Sequence, residues 1–99
     1  MNGKYYLIMC RNKREAACLY ERMCIYLEDN GIGARGFKST FTIDIMGSHN
    51  MIVFRTVRQV LDGCRYDELV TSRLVDKFLD AHESSKEAAR ITDAMNDML

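Results

Sequence analysis

The residues that could take part in catalysis are few and widely spaced in this sequence. Neither of the two histidines, His49 and His82, lies in a context typical of a catalytic base, so no nucleophile–base pair is evident. The four cysteines are Cys10, Cys18, Cys24 and Cys64. They lack the CxxC spacing of a zinc site, and apolar neighbours around three of them predict buried, reduced thiols. We therefore expect no enzymatic activity, no metal site and no cofactor.

Two short motifs resemble parts of nucleotide-binding sites. Residues 31–36 read Gly-Ile-Gly-Ala-Arg-Gly, but this G-x-G-x-x-G match follows a predicted helix and leads into a strand. The motif binds a pyrophosphate only where it opens a helix, so we predict a flexible connection over residues 31–40. The adjacent acids Asp67 and Glu68 could bind a metal ion beside a phosphate loop. Because the sequence has no G-x-x-x-x-G-K-[ST] motif, we expect these acids in the first turn of a helix, whose dipole favours them.

Arginine and tyrosine side chains provide the candidate binding surface, because these residue types dominate the energetics of protein interfaces. The set that we expect to contact a protein partner is Arg55, Arg58, Arg65, Tyr66 and Arg73. The alternative partner is a nucleic acid, whose phosphates would contact the same arginines and a second basic group. That second group is Lys4, Arg11, Lys13 and Arg14. Duplex binding usually comes with a basic excess, whereas 14 basic and 14 acidic residues give this chain zero net charge.

The elements that position these residues begin with a buried strand and a long helix. Residues 4–10 form a nearly continuous apolar run, which is typical of a strand covered on both faces. Helix 13–29 follows, with Asn12 as its predicted N-cap and Glu15 completing a variant of the capping box. Its apolar residues recur every three or four positions, which predicts one buried face. Gly31 ends the helix, because glycine readily adopts the left-handed conformation found there.

The middle of the chain predicts a β-hairpin and one helical turn. Strands over 41–45 and 51–54 flank a turn at 46–50. The first of these strands has one polar face, which predicts a position that is half exposed or at an edge of the sheet. Residues 57–62 favour a single helical turn, and residues 66–72 fit either a short strand or the start of a helix.

Two helices complete the predicted fold. A helical pattern begins at Arg73, and a second capping box predicts a break near His82–Ser84. The last helix, residues 85–98, is amphipathic and rich in methionine, so it either completes the core or docks onto a second copy as a homodimer. The element order β-α-β-β-α-α predicts a single α/β domain over residues 1–99. In that fold, helices pack on a small mixed sheet of three or four strands.

Length and composition are those of a globular protein. The chain has 99 residues, of which 47% are hydrophobic and 28% charged, and this fits one compact domain. No apolar run approaches the roughly 20 residues that span a bilayer. The short run Tyr5–Cys10 has no cleavage site after it. We therefore expect a cytoplasmic protein without a signal peptide and without a membrane contact.

Residues 40–70 resemble the segment before the Walker B acids in phage large-terminase and helicase-type P-loop ATPases. In that family a strand reads I-x-F-R-[ST], a short turn carries L-x-G, and R-x-D leads into the acidic strand. The matching residues here are Ile52, Phe54, Arg55, Thr56, Leu61, Gly63, Arg65 and Asp67. Thr71-Ser72-Arg73 stands where the family has its catalytic acids, and the phosphate loop is missing. The resemblance thus implies a reduced lobe without ATP hydrolysis, of phage or mobile-element origin.

These observations lead to three hypotheses about function. The first is a small non-enzymatic protein of phage or mobile-element type that binds a macromolecular partner. Such a protein would inhibit or regulate a host system, for example in anti-defence. The second is a nucleic-acid-binding protein without sequence specificity. The third is a degenerate nucleotide-binding enzyme lobe.

Overall fold

The structure, a computed structural model, describes residues 3–84 and 98–99. The elements follow one another as β1 (Tyr5–Cys10), α1 (Lys13–Asp29), β2 (Ala34–Phe37), β3 (Thr42–Ile45), β4 (Met51–Thr56), α2 (Val57–Leu61), β5 (Glu68–Thr71) and α3 (Ser72–Ser84). The fold is therefore mixed α/β, as predicted. No helix within the described residues is long and apolar enough to cross a membrane. The predicted helix 85–98, and the homodimer expected through it, fall almost wholly outside the described residues.

One five-stranded sheet carries the fold, with the strand order β2-β3-β4-β1-β5. β1 lies between β4 and β5 and is parallel to both, whereas β2, β3 and β4 form an antiparallel meander. Leu7 of β1 pairs with Val53 of β4 and with Leu69 of β5, which gives the register of the parallel strands. The central position of β1 explains its nearly continuous apolar sequence, since both faces of the strand are covered.

α1 and α3 pack side by side on one face of the sheet. The buried residues of α1 are Ala16, Leu19, Tyr20, Met23 and Leu27. They recur at three- and four-residue steps, as predicted, and each large apolar side chain buried in this way stabilises the fold by about 1.5–3 kcal/mol. The Tyr20 ring meets the Phe54 ring of β4 edge-on, with 6.2 Å between centroids. Arg22 joins the two helices through ion pairs with Asp76 and Asp80 of α3.

α2 lies on the opposite face of the sheet. It contacts β4 and β1 but, among the described elements, neither α1 nor α3. Leu7 and Val53 point away from α1 because side chains alternate along a strand, and they are only 1% and 8% exposed. The second face of the sheet is therefore covered over these strands. The chain thus leaves β1 toward one face and β4 toward the other.

The buried side chain of Asn50 connects the two ends of the described chain. Its Oδ1 accepts a hydrogen bond from the backbone N–H of Lys4 at 2.9 Å, and its Nδ2 donates to the carbonyl of Met98 at 3.1 Å. Met98 is itself buried in the core. Lys4 precedes β1 and Asn50 precedes β4, so both ends lie at the edge where the parallel strands begin.

The prediction of a flexible connection over residues 31–40 is wrong, because this segment contains β2. With β2 the sheet has five strands and not the predicted three or four. Residues 34–37 pair with β3 from Ala34↔Ile45 to Phe37↔Thr42. β3 consequently lies inside the sheet and not at its edge. The sequence Ala-Arg-Gly-Phe has neither alternation nor β-branched residues, so the strand forms because of its partner and not because of its own propensity.

Residues 66–72 were predicted as either a short strand or the start of a helix. In the structure they contain β5 and the first residue of α3. Two hydrogen bonds attach the beginning of β5 to β1. The N–H of Asp67 donates to the carbonyl of Tyr5 at 2.9 Å, and the N–H of Tyr5 donates to Asp67 Oδ2 at 2.7 Å. Asp67 and Glu68 therefore stand at the beginning of a strand, which corrects their expected place in the first turn of a helix.

Candidate functional site

The carboxyl ends of the three parallel strands meet at one edge of the sheet. The register places Cys10 of β1 beside Thr56 of β4, and β5 ends next to them on the other side of β1. A helix begins directly after β4 and after β5, and a short connection after β1 leads into α1. All three described helices therefore begin at this edge. We call it the carboxyl edge and define it by residues 11–14, 55–58 and 71–73.

Basic side chains accompany the start of every helix at the carboxyl edge. They are Arg11, Lys13, Arg14, Arg55, Arg58 and Arg73. A helix N-terminus carries a partial positive charge, so each cation in the first turns of α1 and α3, namely Lys13, Arg14 and Arg73, costs about 0.3–1 kcal/mol. Arg58 also lies in the last turn of the five-residue α2, so this cost does not apply to it. Glu15 is the acid in the first turn of α1, and the first turns of α2 and α3 contain none. Repulsion between cations and the positive end of a helix dipole is typical of an edge that binds an anion.

Most of these cations have no carboxylate partner among the described residues. Arg11 is the exception, since its Nη2 lies 2.8 Å from Glu15 Oε2. The other ion pairs of the described chain join Lys4 to Glu68, Arg22 to Asp76 and Asp80, Arg35 to Asp44, and Lys38 to Glu21. Away from the carboxyl edge, only Arg65 and Lys77 of the described basic residues lack such a pair. Unneutralised positive charge is thus concentrated at one edge.

Glu15 connects the first turns of α1 and α3. Burial acts to raise the pKa of its carboxyl group, but hydrogen bonds from Ser72 and Arg11 and the charge of Arg11 outweigh burial and lower that pKa. The predicted N-cap is confirmed, because Asn12 Oδ1 accepts the N–H of Glu15 at 2.9 Å. This carboxylate stays charged and holds two helices together, and it neutralises Arg11 but none of the other cations.

Acidic residues collect at the opposite edge, where the parallel strands begin. α1 ends there with Glu28 and Asp29, and β5 begins there with Asp67 and Glu68. The last turn of α1 carries no basic residue, so charges at both of its ends oppose the dipole of this helix. The chain has zero net charge, yet the charges of its described residues are polarised from one edge of the sheet to the other.

A cavity of about 470 Å³ opens at the carboxyl edge between the first turn of α1 and the end of β4. Its lining residues are Lys13, Ala16, Ser39, Thr40, Phe41, Phe54, Arg55, Thr56 and Gln59. The chain departs from β1 and β4 toward opposite faces at this point. Ligands of open α/β sheets bind where neighbouring connections diverge in this way. The cavity therefore has the position of a ligand site, and it combines two cations with hydroxyl, amide and aromatic groups.

Hydrogen bonds fix the polar wall of the cavity. Arg55 Nη1 donates to the carbonyl of Thr40 and, at 2.9 Å, to that of Phe54, so its remaining N–H groups have a fixed direction. Thr56 caps α2 through a reciprocal arrangement with Gln59, whose Oε1 accepts the N–H of Thr56 at 2.9 Å. These groups are held in place before any ligand arrives, which lowers the entropy cost of binding.

Phe41 forms part of the cavity wall in a strained backbone conformation. Its φ of 45° lies in the left-handed region, which a bulky side chain rarely adopts. Its carbonyl accepts the N–H of Phe54 at 2.9 Å, and its ring centroid lies 5.8 Å from that of Tyr20. These neighbours impose the conformation. Strain of this kind clusters at binding sites.

The carboxyl edge contains members of both predicted binding sets. The protein-binding set contributes Arg55, Arg58 and Arg73, and the nucleic-acid set contributes Arg11, Lys13 and Arg14. Lys4 lies at the opposite edge, where its Nζ is 4.0 Å from Glu68 Oε1. Arg65 and Tyr66 lie on the segment between α2 and β5, outside the carboxyl edge. The fold therefore brings six residues of the two sets together at the carboxyl edge and leaves Lys4, Arg65 and Tyr66 outside it.

Sequence reasoning missed the uncharged residues of the cavity. Ser39, Thr40 and Phe41 fall in the turn between β2 and β3, and β2 itself was not predicted. Thr56 and Gln59 do carry a signal, because Thr-x-x-Gln before a helical turn is a capping-box sequence. That signal places a helix start directly after β4.

The described residues include no group of three or more His, Cys, Asp and Glu side chains that could hold a metal ion. The acids Asp67 and Glu68 lie at the opposite edge from the cavity, because they begin β5. Three of the cysteines have apolar neighbours that predicted buried thiols, but only Cys10 is buried, whereas Cys24 and Cys64 are partly buried and Cys18 is exposed. Burial raises the pKa of the Cys10 thiol to about 12, with the nearby charge of Glu15 adding to the shift.

Comparison with protein-family models, curated proteins and solved structures finds no match to this chain. The resemblance of residues 40–70 to P-loop ATPases stays a prediction. The geometry and charge of the carboxyl edge are therefore the features that bear on function.

Proposed function

We propose that this protein binds nucleic acid by contacting phosphates along the carboxyl edge. The observation that carries the proposal is a group of cations at the carboxyl edge that no carboxylate of the described residues neutralises. The five cations of the carboxyl edge that have no ion pair among the described residues are Lys13, Arg14, Arg55, Arg58 and Arg73. Cations placed against the helix dipole are costly in the free protein, and a bound polyanion turns that cost into an attraction.

The charge polarity of the molecule supports a phosphate ligand despite the zero net charge. An acidic edge repels a polyanion and a basic edge attracts it, so the protein approaches nucleic acid in one orientation. Phosphate contacts position a protein but carry no sequence information. The binding that we propose is therefore independent of base sequence.

Salt dependence gives the first test. If five cations each neutralise one phosphate, the logarithm of the binding constant falls with the logarithm of salt concentration with a slope of about −4.5 for a duplex and about −3.5 for a single strand. Between 50 and 200 mM salt, affinity should fall by roughly a hundredfold to five-hundredfold. Fluorescence anisotropy of a labelled 20-nucleotide strand measures this loss. Binding that does not change with salt would contradict the proposal.

Charge reversal gives the second arm of the same test. Arg58→Glu and Arg73→Glu should each weaken binding by tenfold or more at 100 mM salt, because each replaces an attraction to a phosphate by a repulsion. Arg65→Glu makes the same change at an exposed residue outside the carboxyl edge and is the matched control. An equal loss in all three variants would show that only net charge matters.

A protein partner is the second candidate, because three apolar or aromatic residues are exposed around the start of β5. They are Tyr5, Tyr66 and Leu69, each more than two fifths exposed. A partner there would be a protein of a host system that this chain inhibits or regulates, and it would contact Arg65 and Tyr66. Tyr66→Ala and Arg65→Glu should then release a captured host protein, whereas Arg73→Glu should retain it.

A further inference from the structure

We infer that the cavity at the carboxyl edge takes one unstacked nucleotide of a single-stranded nucleic acid. The inference rests on the proposed function and names the type of strand that it serves. In a duplex each base is paired and stacked, so only a single strand can turn a base out into a cavity without breaking pairs. The cavity would then give the protein a preference for single strands over duplexes.

The position and size of the cavity fit one nucleotide. Its volume of about 470 Å³ falls within the range of about 300–1,000 Å³ that is typical of small-molecule sites. It opens between α1 and β4, directly among the cations that we expect to follow the phosphate backbone. A strand lying along the carboxyl edge therefore passes over the cavity, and one base can enter while its neighbours stay outside.

The lining of the cavity provides separate contacts for a phosphate and a base. Lys13 and Arg55 supply positive charge at its rim, and Arg55 keeps N–H groups beyond the two that its carbonyl bonds use. Phe41 offers an aromatic side chain whose position is fixed by Tyr20 and by its own backbone. Stacking on an aromatic ring accepts any base, which agrees with binding that is independent of sequence. Ser39 and Gln59 can exchange hydrogen bonds with base edges or sugar hydroxyls.

A cavity-filling variant tests the inference without changing charge. Wild-type protein should bind a 20-nucleotide single strand at least tenfold more tightly than the duplex of the same sequence at 100 mM salt. Ser39→Trp fills the cavity from an exposed turn position and should remove that preference while duplex affinity stays the same. Ser48→Trp places the same side chain in the exposed turn before β4, at the far end of the strand, and is the matched control. It should keep the preference.

A second variant covers the case in which Ser39→Trp does not fold. Phe41→Leu keeps an apolar side chain against Tyr20 but removes the aromatic ring, so the single-strand preference should fall at least threefold. A strand carrying 2-aminopurine reports the same event directly, because the fluorescence of this base changes when it leaves its neighbours.

Adenosine monophosphate should displace the strand only at much higher concentration, since it has no flanking phosphates to contact Arg58 and Arg73.

The possible results separate the two proposals. If the wild type binds single strand and duplex equally and neither cavity variant changes this, the cavity is not a nucleotide site, although the proposed function stands. If the wild type binds neither, the proposed function fails and the inference fails with it. Displacement of the strand by equimolar adenosine monophosphate would assign the cavity to free nucleotides and overturn the inference.

Discussion

Gly36 of β2 occupies a position where α1 leaves no room for a side chain. A Cβ atom at this residue would collide with the Tyr20 hydroxyl group and come within 3.2 Å of Cys24 Sγ. The close approach of α1 to β2 thus depends on a hydrogen atom at this one position. The glycine that matches a phosphate-binding motif in the sequence serves helix–strand packing in the structure.

We expect Gly36→Ala to destabilise the protein by about 1 kcal/mol, because the Tyr20 hydroxyl group must shift to make room for the added Cβ. Urea denaturation monitored by circular dichroism measures the free energy of unfolding. Gly33→Ala is the matched control, because the atom nearest to its Cβ, Met46 Cβ, lies 3.9 Å away. Equal stability of the two variants would show that α1 and β2 do not approach this closely.

Cys10 makes the stability of the protein sensitive to alkaline pH. Its thiol is fully buried and donates to the carbonyl of Ile8 at 3.6 Å, and burial raises its pKa from 9.0 to about 12. Between these values the unfolded chain releases a proton that the folded protein keeps, so rising pH favours unfolding. Burial also raises the pKa values of Tyr20, Cys24 and Tyr26, which act in the same direction.

The free energy of unfolding should therefore fall between pH 8 and pH 11, and Cys10→Ala should reduce this fall. Its absolute stability at pH 8 is expected to be lower than that of the wild type, because the substitution leaves a cavity. The quantity to compare is thus the difference between the two pH values, obtained from urea titrations. Cys18→Ala, at an exposed position, is the control. A pH dependence unchanged by Cys10→Ala would refute the assignment to this thiol.

At the scale of elements, α1 is a helix whose end charges oppose its own dipole. Lys13 and Arg14 occupy its first turn, Glu28 and Asp29 its last. Packing of the apolar face against the sheet outweighs this repulsion, since burial of several large side chains contributes more than the roughly 0.3–1 kcal/mol of each misplaced charge. Cations in the first turn of α1 have a role if this turn binds an anion.

Lys13→Glu should raise the stability of the protein and lower its affinity for nucleic acid. The gain of about 1 kcal/mol would raise the Tm by roughly 4–8 °C in a domain of this size, while affinity for a single strand should fall at least tenfold. Differential scanning calorimetry and anisotropy measure the two effects. Lys13→Gln should give intermediate values of both. A lower Tm in Lys13→Glu would contradict the electrostatic account of this turn.

The elements differ in how far the sequence determines them. α1 was predicted from Lys13 to Asp29 because its apolar period, N-cap and terminal glycine all agree. β2 was missed because its sequence carries no strand pattern, and β5 was left open because residues 66–72 fit either a strand or a helix start. Pairing with β3 and β1 makes them strands. Local signals thus sufficed where an element buries its own apolar face and failed where a neighbour imposes the structure.

The basic residues of the candidate site could be predicted from the sequence, but its uncharged residues and its arrangement could not. Both basic sets were recognisable in the sequence as arginines and lysines near strand ends. Their convergence depends on the parallel alignment of β1, β4 and β5, which no local pattern encodes. The separation of Lys4 from Arg11, by contrast, follows from the predicted strand, because the two residues flank it and therefore lie at its opposite ends.

At the scale of the whole molecule, the sheet separates charge. The connections after β1, β4 and β5 bring cations to one edge, and the residues at the end of α1 and the start of β5 bring acids to the other. The described residues therefore separate charge along the sheet, although the chain as a whole has zero net charge. Global charge is a poor guide to nucleic-acid binding in a protein of this kind, since the partner meets only one edge.

The contact of Asn50 with Lys4 and Met98 has a practical consequence for experiments. An affinity handle, fluorophore or fused domain attached ahead of Lys4 or behind Leu99 starts from the acidic side of the sheet. Protein tethered to a sensor chip through either terminus would accordingly present its arginine-bearing side to the solution. Tethering through the exposed thiol of Cys18, in the first half of α1, would turn a different surface outward. Comparing the two immobilised forms would reveal which side a passing oligonucleotide meets.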